Sequence, residues 1–133
     1  MLSEKEIYKE LLIDKKQKVE SIVKKAKDLI GIDKETGEVI ILVSRAKLRD
    51  EDLIGLHLIG KFFASELGLS ESSSATAKEL SEKTGIKQTV VSARLHDLKL
   101  MGYIRSPRRG EHEFIFPRMS EFLDSVRERV GLP

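Results

Sequence analysis

Residues 75–116 read ATAKELSEKTGIKQTVVSARLHDLKLMGYIRSPRRGEHEFIF, and the order of signals within this stretch decides the fold. Thr76 can cap a short helix, with Glu79 three residues on at capping-box spacing. Ala77 and Leu80, with Leu69 before them, supply its inward side. Gly85 then stands where the chain must turn sharply between two helices, which glycine does without steric strain. Ile86 plugs the corner. The spacing predicts a second helix from about Gln88 to Met101, with Val91, Leu95 and Leu98 on one buried stripe at intervals of four and three. Gly102 ends that helix and Tyr103-Ile104 opens a strand. Pro107-Arg108-Arg109-Gly110 reads as a tight turn, and Glu111 to Phe116 alternates as a returning strand with His112, Phe114 and Phe116 on one side.

The buried stripe fixes the opposite face of the second helix. Lys87, Gln88, Thr89, Ser92 and Arg94 are predicted to stay exposed near its N-terminal half. Gln can read adenine and Arg guanine in the major groove, while Thr, Ser and Lys can hold phosphates. Val90 and Ala93 lie close enough to touch thymine methyls. Arg105, Arg108 and Arg109, on the basic hairpin, can reach a sugar-phosphate backbone or a minor groove.

The charge distribution agrees. The whole chain is only +2, and residues 1–82 carry 14 Lys/Arg against 16 Asp/Glu. Residues 83–118 hold Lys83, Lys87, Arg94, Lys99, Arg105, Arg108, Arg109 and Arg118 against Asp97, Glu111 and Glu113, a local net charge of +5. The remainder, from residue 119, is −1. Local concentration of positive charge is what attracts a polyanion.

Working outward, Asp50-Glu51-Asp52 places acidic residues at the positive end of a central helix that runs through Leu53, Leu56, Ile59 and Phe63 to Gly68. A polar loop, Ser70 to Ala75, follows it. At the N-terminus Ser3 and Glu6 have capping-box spacing, and an apolar stripe from Ile7 to Ile30 predicts a long amphipathic helix. A break is allowed across the polar Asp14–Lys18 stretch, and Gly31 is the expected stop. Val39 to Val43 reads as a strand buried on both faces, with Ile30 and Ile32 available as a hairpin partner. Pro117 breaks the last strand, and Met119 to Val130 forms a final amphipathic helix.

The stretch ATAKELSEKTGIKQTVVSARLHDLKLMGYI with the basic hairpin after it resembles the winged helix-turn-helix transcription regulators of the broad MarR and ArsR type. The resemblance covers roughly residues 50–118, and LIGKFFASELGL (residues 58–69) is also similar to small archaeal winged-helix proteins. It implies a recognition helix at about 88–101, double-stranded DNA as the partner, and a homodimer. The first 45 residues lie outside it. The expected fold is therefore mainly α with a small β component. It has an N-terminal helix and β-strand extension over 1–48, a winged helix-turn-helix over 49–118, and a C-terminal helix over 119–133.

Other classes find little support. There is no Cys, so disulfides, thiolate metal sites and Cys nucleophiles are excluded. No nucleophile-base pair, Gly-rich phosphate loop or paired carboxylates can be assembled, which argues against an enzyme, and nothing calls for a cofactor. His57, His96 and His112 have no metal-ligand spacing, and His57 reads as a core or interface histidine. The charged N-terminus and the lack of a long apolar run predict a cytoplasmic protein without a membrane segment. Asn is absent, Gln occurs only at Gln17 and Gln88, and Lys and Glu abound, a composition associated with thermophiles. Two further readings stay open beside the regulator. One is a non-specific architectural DNA binder. The other is a protein-interaction module whose contacts are the long N-terminal helix or Val39 to Val43.

Overall fold

The computed structural model describes residues 3–133. Its N-terminal stripe is divided rather than continuous. Helix α1 spans Glu4–Tyr8 and tightens into a 3-10 turn over Lys9–Leu11. Asp14 then caps helix α2, Lys15–Ala26, accepting hydrogen bonds from Lys16 N and Gln17 N at 3.0 and 3.3 Å. A carboxylate offered to the first free amides is a strong helix start, so the break falls where the polar stretch begins. Ser3 Oγ accepts from Glu6 N at 3.3 Å, but the Glu6 carboxylate turns to Lys9 instead of closing a reciprocal box.

Gly31 is not a helix stop. It lies inside strand β1, Ile30–Ile32, which pairs antiparallel with β2, Val39–Ile41, placing Ile30 opposite Ile41 and Ile32 opposite Val39. Asp33 organises the connecting turn by accepting from Glu35 N and Thr36 N, and those bonds hold its carboxyl below the usual carboxylate range. The expectation that Val39 to Val43 is buried on both faces is corrected. The strand ends at Ile41, and Ile40 and Leu42 are exposed. The hairpin is a two-stranded sheet lying against the central helix, and that helix covers only one of its faces.

That central helix, α3, spans Asp50–Glu66 and buries nine of its residues, which is why apolar side chains occur on more than one of its faces. Two of its glycines serve close approach. A Cβ at Gly55 would stand 2.2 Å from Phe122 Cζ, and one at Gly60 would stand 2.5 Å from Val39 Cγ2. The C-terminal helix and the hairpin thus press on α3 at distances that only glycine permits.

Beyond α3 the chain forms strand β3 (Ala75–Thr76), helices α4 (Ala77–Thr84) and α5 (Gln88–Leu100), and strands β4 (Ile104–Arg105) and β5 (Glu111–Phe114). These strands make an antiparallel sheet of order β3-β5-β4, with Ala75 opposite His112 and Ile104 opposite Phe114. The last strand stops at Phe114 rather than Phe116, because Phe116–Arg118 coil into a 3-10 turn around Pro117. Phe116 packs on Phe62 instead, with ring centroids 5.5 Å apart.

Helix α6, Met119–Val130, returns across the molecule. Its Phe122 ring meets Tyr103 and Phe114 at 5.4 and 5.0 Å. Its polar edge holds α2 through Lys25 Nζ to Ser120 Oγ (2.8 Å) and Arg127 Nη1 to the Lys25 carbonyl (2.9 Å). Ile22 and Leu29 from the N-terminal stretch, Leu56 and Leu95 from the middle, and Leu123 from α6 belong to one continuous core. The protein is mainly helical with a small antiparallel sheet component, as expected.

Candidate nucleic-acid interface

Thr76 starts α4 as the sequence suggests, its Oγ1 accepting from Glu79 N at 3.1 Å. The Glu79 carboxylate does not return to the cap; it takes Lys61 Nζ on α3 at 2.6 Å. Gly85 closes α4 at φ +77°, a conformation that a side chain disfavours. Ser81 Oγ bonds the Ile86 carbonyl at 2.6 Å, and buried Ile86 fixes the corner between α4 and α5.

Val91, Leu95 and Leu98 are buried on α5, so the opposite side is set by helical geometry. Thr89, Ala93 and His96 lie along its centre, flanked by Ser92, and all four are exposed. Gln88 is exposed in the first turn, and Lys87 is exposed as the residue that precedes the helix. Arg94 departs from expectation. Standing three residues after Val91 and one before Leu95, it flanks the buried stripe and is only half-exposed. Its Nε lies 3.0 Å from Asp97 Oδ2, without the alignment of a hydrogen bond. His96, not picked out from the sequence, takes the more central place. The signal was there in the three- and four-residue intervals from Thr89 and Ser92.

The β4–β5 hairpin carries Arg105, Arg108 and Arg109, all exposed. Two of them have acidic partners. Arg105 Nε meets Glu113 Oε1 across the strands at 2.6 Å, and Arg108 Nε meets Glu111 Oε2 at 3.1 Å. The same glutamates accept from Ser73 and Ser74 in the loop before β3, so they are held in place. Lys99 on α5 bonds Ser106 Oγ at 2.7 Å, tying the helix end to the hairpin. Burial, and then Lys99, lower the pKa of neighbouring His112. Among the described residues, Lys87 and Arg109 are the interface cations for which no ion pair or side-chain hydrogen bond is formed. From Lys83 through His96 the chain contains no carboxylate at all.

His57 lines a different feature, a pocket of about 210 Å³ between the β1–β2 turn, α3 and α4. Lys61 and Glu79 share it, as do Lys83 and Glu38, which pair at 3.2 Å. Burial, and secondarily the Lys83 charge, push the imidazole down to about 4 from an ordinary 6.5. The fold therefore holds His57 neutral where the unfolded chain already takes up a proton. Its stability contribution is complete above pH 6.5 and is lost as pH falls toward about 4. A displacement of that size is worth at most about 3 kcal/mol. Urea unfolding across this window should show stability falling with acid, and His57→Gln should flatten that slope. An unchanged slope would show that another group is responsible.

No group of three His, Asp or Glu side chains among the described residues is placed to hold a metal ion. No helix among them is long and apolar enough to cross a membrane. The chain matches no protein-family model, no curated protein and no solved structure.

Proposed function

We propose that the protein is a cytoplasmic, sequence-specific DNA-binding regulator of transcription with a winged helix-turn-helix of the MarR and ArsR type. In this reading α5 lies in the major groove as the recognition helix, and the β4–β5 hairpin is the wing that follows the backbone. The element order α3-β3-α4-α5-β4-β5 and the tight corner at Gly85–Ile86 support it. One observation carries it: the exposed face of α5 has no carboxylate from Lys87 to His96, and the hairpin that follows has Arg108 and Arg109 at its tip.

Gln88, Thr89 and Ser92 would meet base edges or phosphates, with His96 beyond them. Lys87 and Arg109 would meet phosphates first. Arg105 and Arg108 are already paired. The more exposed Arg108–Glu111 pair is of a kind worth about 0–1 kcal/mol, so a phosphate can replace that carboxylate at small cost. Glu113, by contrast, keeps only 14% of its side chain exposed and holds Arg105 more firmly. Arg94 is the weakest member of the set, since Asp97 and its flanking position both hold it back.

The paired arginines also favour a second reading, a winged-helix module that binds another protein, because Asp97, Glu111 and Glu113 reduce the field a polyanion would feel. Selection of bound sequences from a random duplex pool, followed by fluorescence anisotropy, tests between them. Enrichment of one site supports a regulator, binding without enrichment an architectural role, and no binding at low salt the protein module.

Two substitutions sharpen the test. Gln88→Ala should cost about 1–3 kcal/mol at one base position and leave other positions unaffected, whereas Arg109→Ala should weaken all sequences alike and lower the salt slope by about one. Equal loss on every sequence for Gln88→Ala would remove it as a base reader.

A further inference from the structure

Among the described residues, helix α1 forms no side-chain hydrogen bond or ion pair outside its own segment. None of its residues is buried, and its side-chain bonds, Glu6 N to Ser3 Oγ and Lys9 Nζ to Glu6 Oε1, stay within the segment. Yet Ile7, Tyr8, Leu11, Leu12 and Ile13 are between 50% and 81% exposed. Five large apolar side chains within seven residues form a patch, not a scatter, and such patches mark contact sites.

The same chain holds an unfilled counterpart. An apolar groove of about 420 Å³ runs between α2, β1 and the C-terminal end of α3, lined by Val19, Val23, Ile30, Ile32, Phe63 and Leu67. Charge is complementary as well. The arm carries Glu4, Glu6 and Glu10 against Lys5 and Lys9, while α2 beside the groove carries five lysines against Glu20.

We propose that residues 4–13 form an arm that seats in this groove on a second copy of the chain, and that the exchange is reciprocal. Docking on its own groove is disfavoured by the connection. Leu12 and Asp14 both have extended backbone, so the chain makes no tight reversal at either of them. A reversal there would also leave Leu12 and Ile13 exposed at the bend, whereas in a partner's groove they are covered. At roughly 60–120 Å² for each of five buried apolar side chains, two reciprocal arms remove about 600–1,200 Å² of their own surface from water. The two grooves add to this, and the total approaches the size of a stable interface. The inference does not depend on the DNA reading, because it is tested without DNA.

Sedimentation equilibrium and light scattering on the full chain at micromolar concentration should give a dimer. Leu11→Glu with Leu12→Glu removes the arm's apolar face at exposed positions, and should give a folded monomer. Gly31→Glu fills the groove at a point where an added Cβ meets nothing within 4 Å, and should do the same. Circular dichroism checks that both variants keep their helices. Mixing the two should restore a weaker heterodimer, since one arm and its matching groove remain intact. A monomeric wild type, a dimer that survives either variant, or a mixture that stays monomeric would each overturn the proposal.

Discussion

Raising salt from about 50 to 200 mM is expected to weaken duplex binding steeply, by an amount that counts the phosphates engaged. The physical basis is release of condensed counterions, which gives a slope near −0.9 per phosphate neutralised. If only Lys87 and Arg109 act, one chain loses about tenfold over that range. If Arg105 and Arg108 also give up Glu113 and Glu111, four contacts per chain raise the loss to about 150-fold. Two chains on one site, with eight contacts, would lose about four orders of magnitude. The slope therefore reports how many phosphates are engaged, and with the number of bound subunits measured separately it shows whether the hairpin arginines leave their carboxylates. Replacing Glu111 and Glu113 with Gln should raise affinity at every salt concentration by removing repulsion near the backbone. Binding that ignores salt would point to apolar contacts and favour the protein-interaction module.

What the sequence made legible follows from the range of the interactions involved. Helices α3, α4 and α5 are written in local periodicity, and their caps and breaks at Thr76, Gly85 and Gly68 are single-residue signals. The paired arginines were half-readable. Arg94–Asp97 and Arg108–Glu111 stand at three-residue spacing, but Arg105–Glu113 appears only once the strand register is known. Strand β3 is two residues long and has no period of its own. It exists because Ala75 and Thr76 pair with His112 and Glu111, some 35 residues away. The stripe from Ile7 to Ile30 reads as one amphipathic run with a break allowed at Asp14–Lys18, because its apolar spacing resumes at Val19 and continues into β1. Only the capping carboxylate and the pairing with β2 show that it serves three elements. Burial of Val39 to Val43 was misjudged for a related reason: a run of β-branched residues says strand, but not how many layers cover it.

Arg129→Ala is expected to destabilise the fold by about 3–5 kcal/mol, a large part of the 5–15 kcal/mol typical of a domain this size. Asp52 sits in the first turn of α3 and is fully buried. It accepts from Arg49 N at 3.0 Å, from Arg129 Nε at 3.0 Å and from Arg129 Nη2, which joins the start of α3 to the last turn of α6. Removing the guanidinium leaves a carboxylate out of water with one backbone donor, the positive end of α3 and an Arg49 Nε at 3.7 Å. The reverse change is milder. Arg129 keeps 29% of its side chain exposed and bonds Ser125 Oγ, so in Asp52→Asn its charge can turn to solvent. Arg129→Lys should fall between the two, because an ammonium keeps the charge but loses the two-pronged geometry. Urea unfolding of the three variants tests this order. Near-equal losses below about 1 kcal/mol would mean that the pair behaves as an exposed one. The expected asymmetry has a structural meaning. The pair contributes less as an attraction than as a condition that α6 must be docked for Asp52 to be buried. Its loss should therefore free α6 and its Phe122 from Gly55 on α3 before it disturbs α4 and α5.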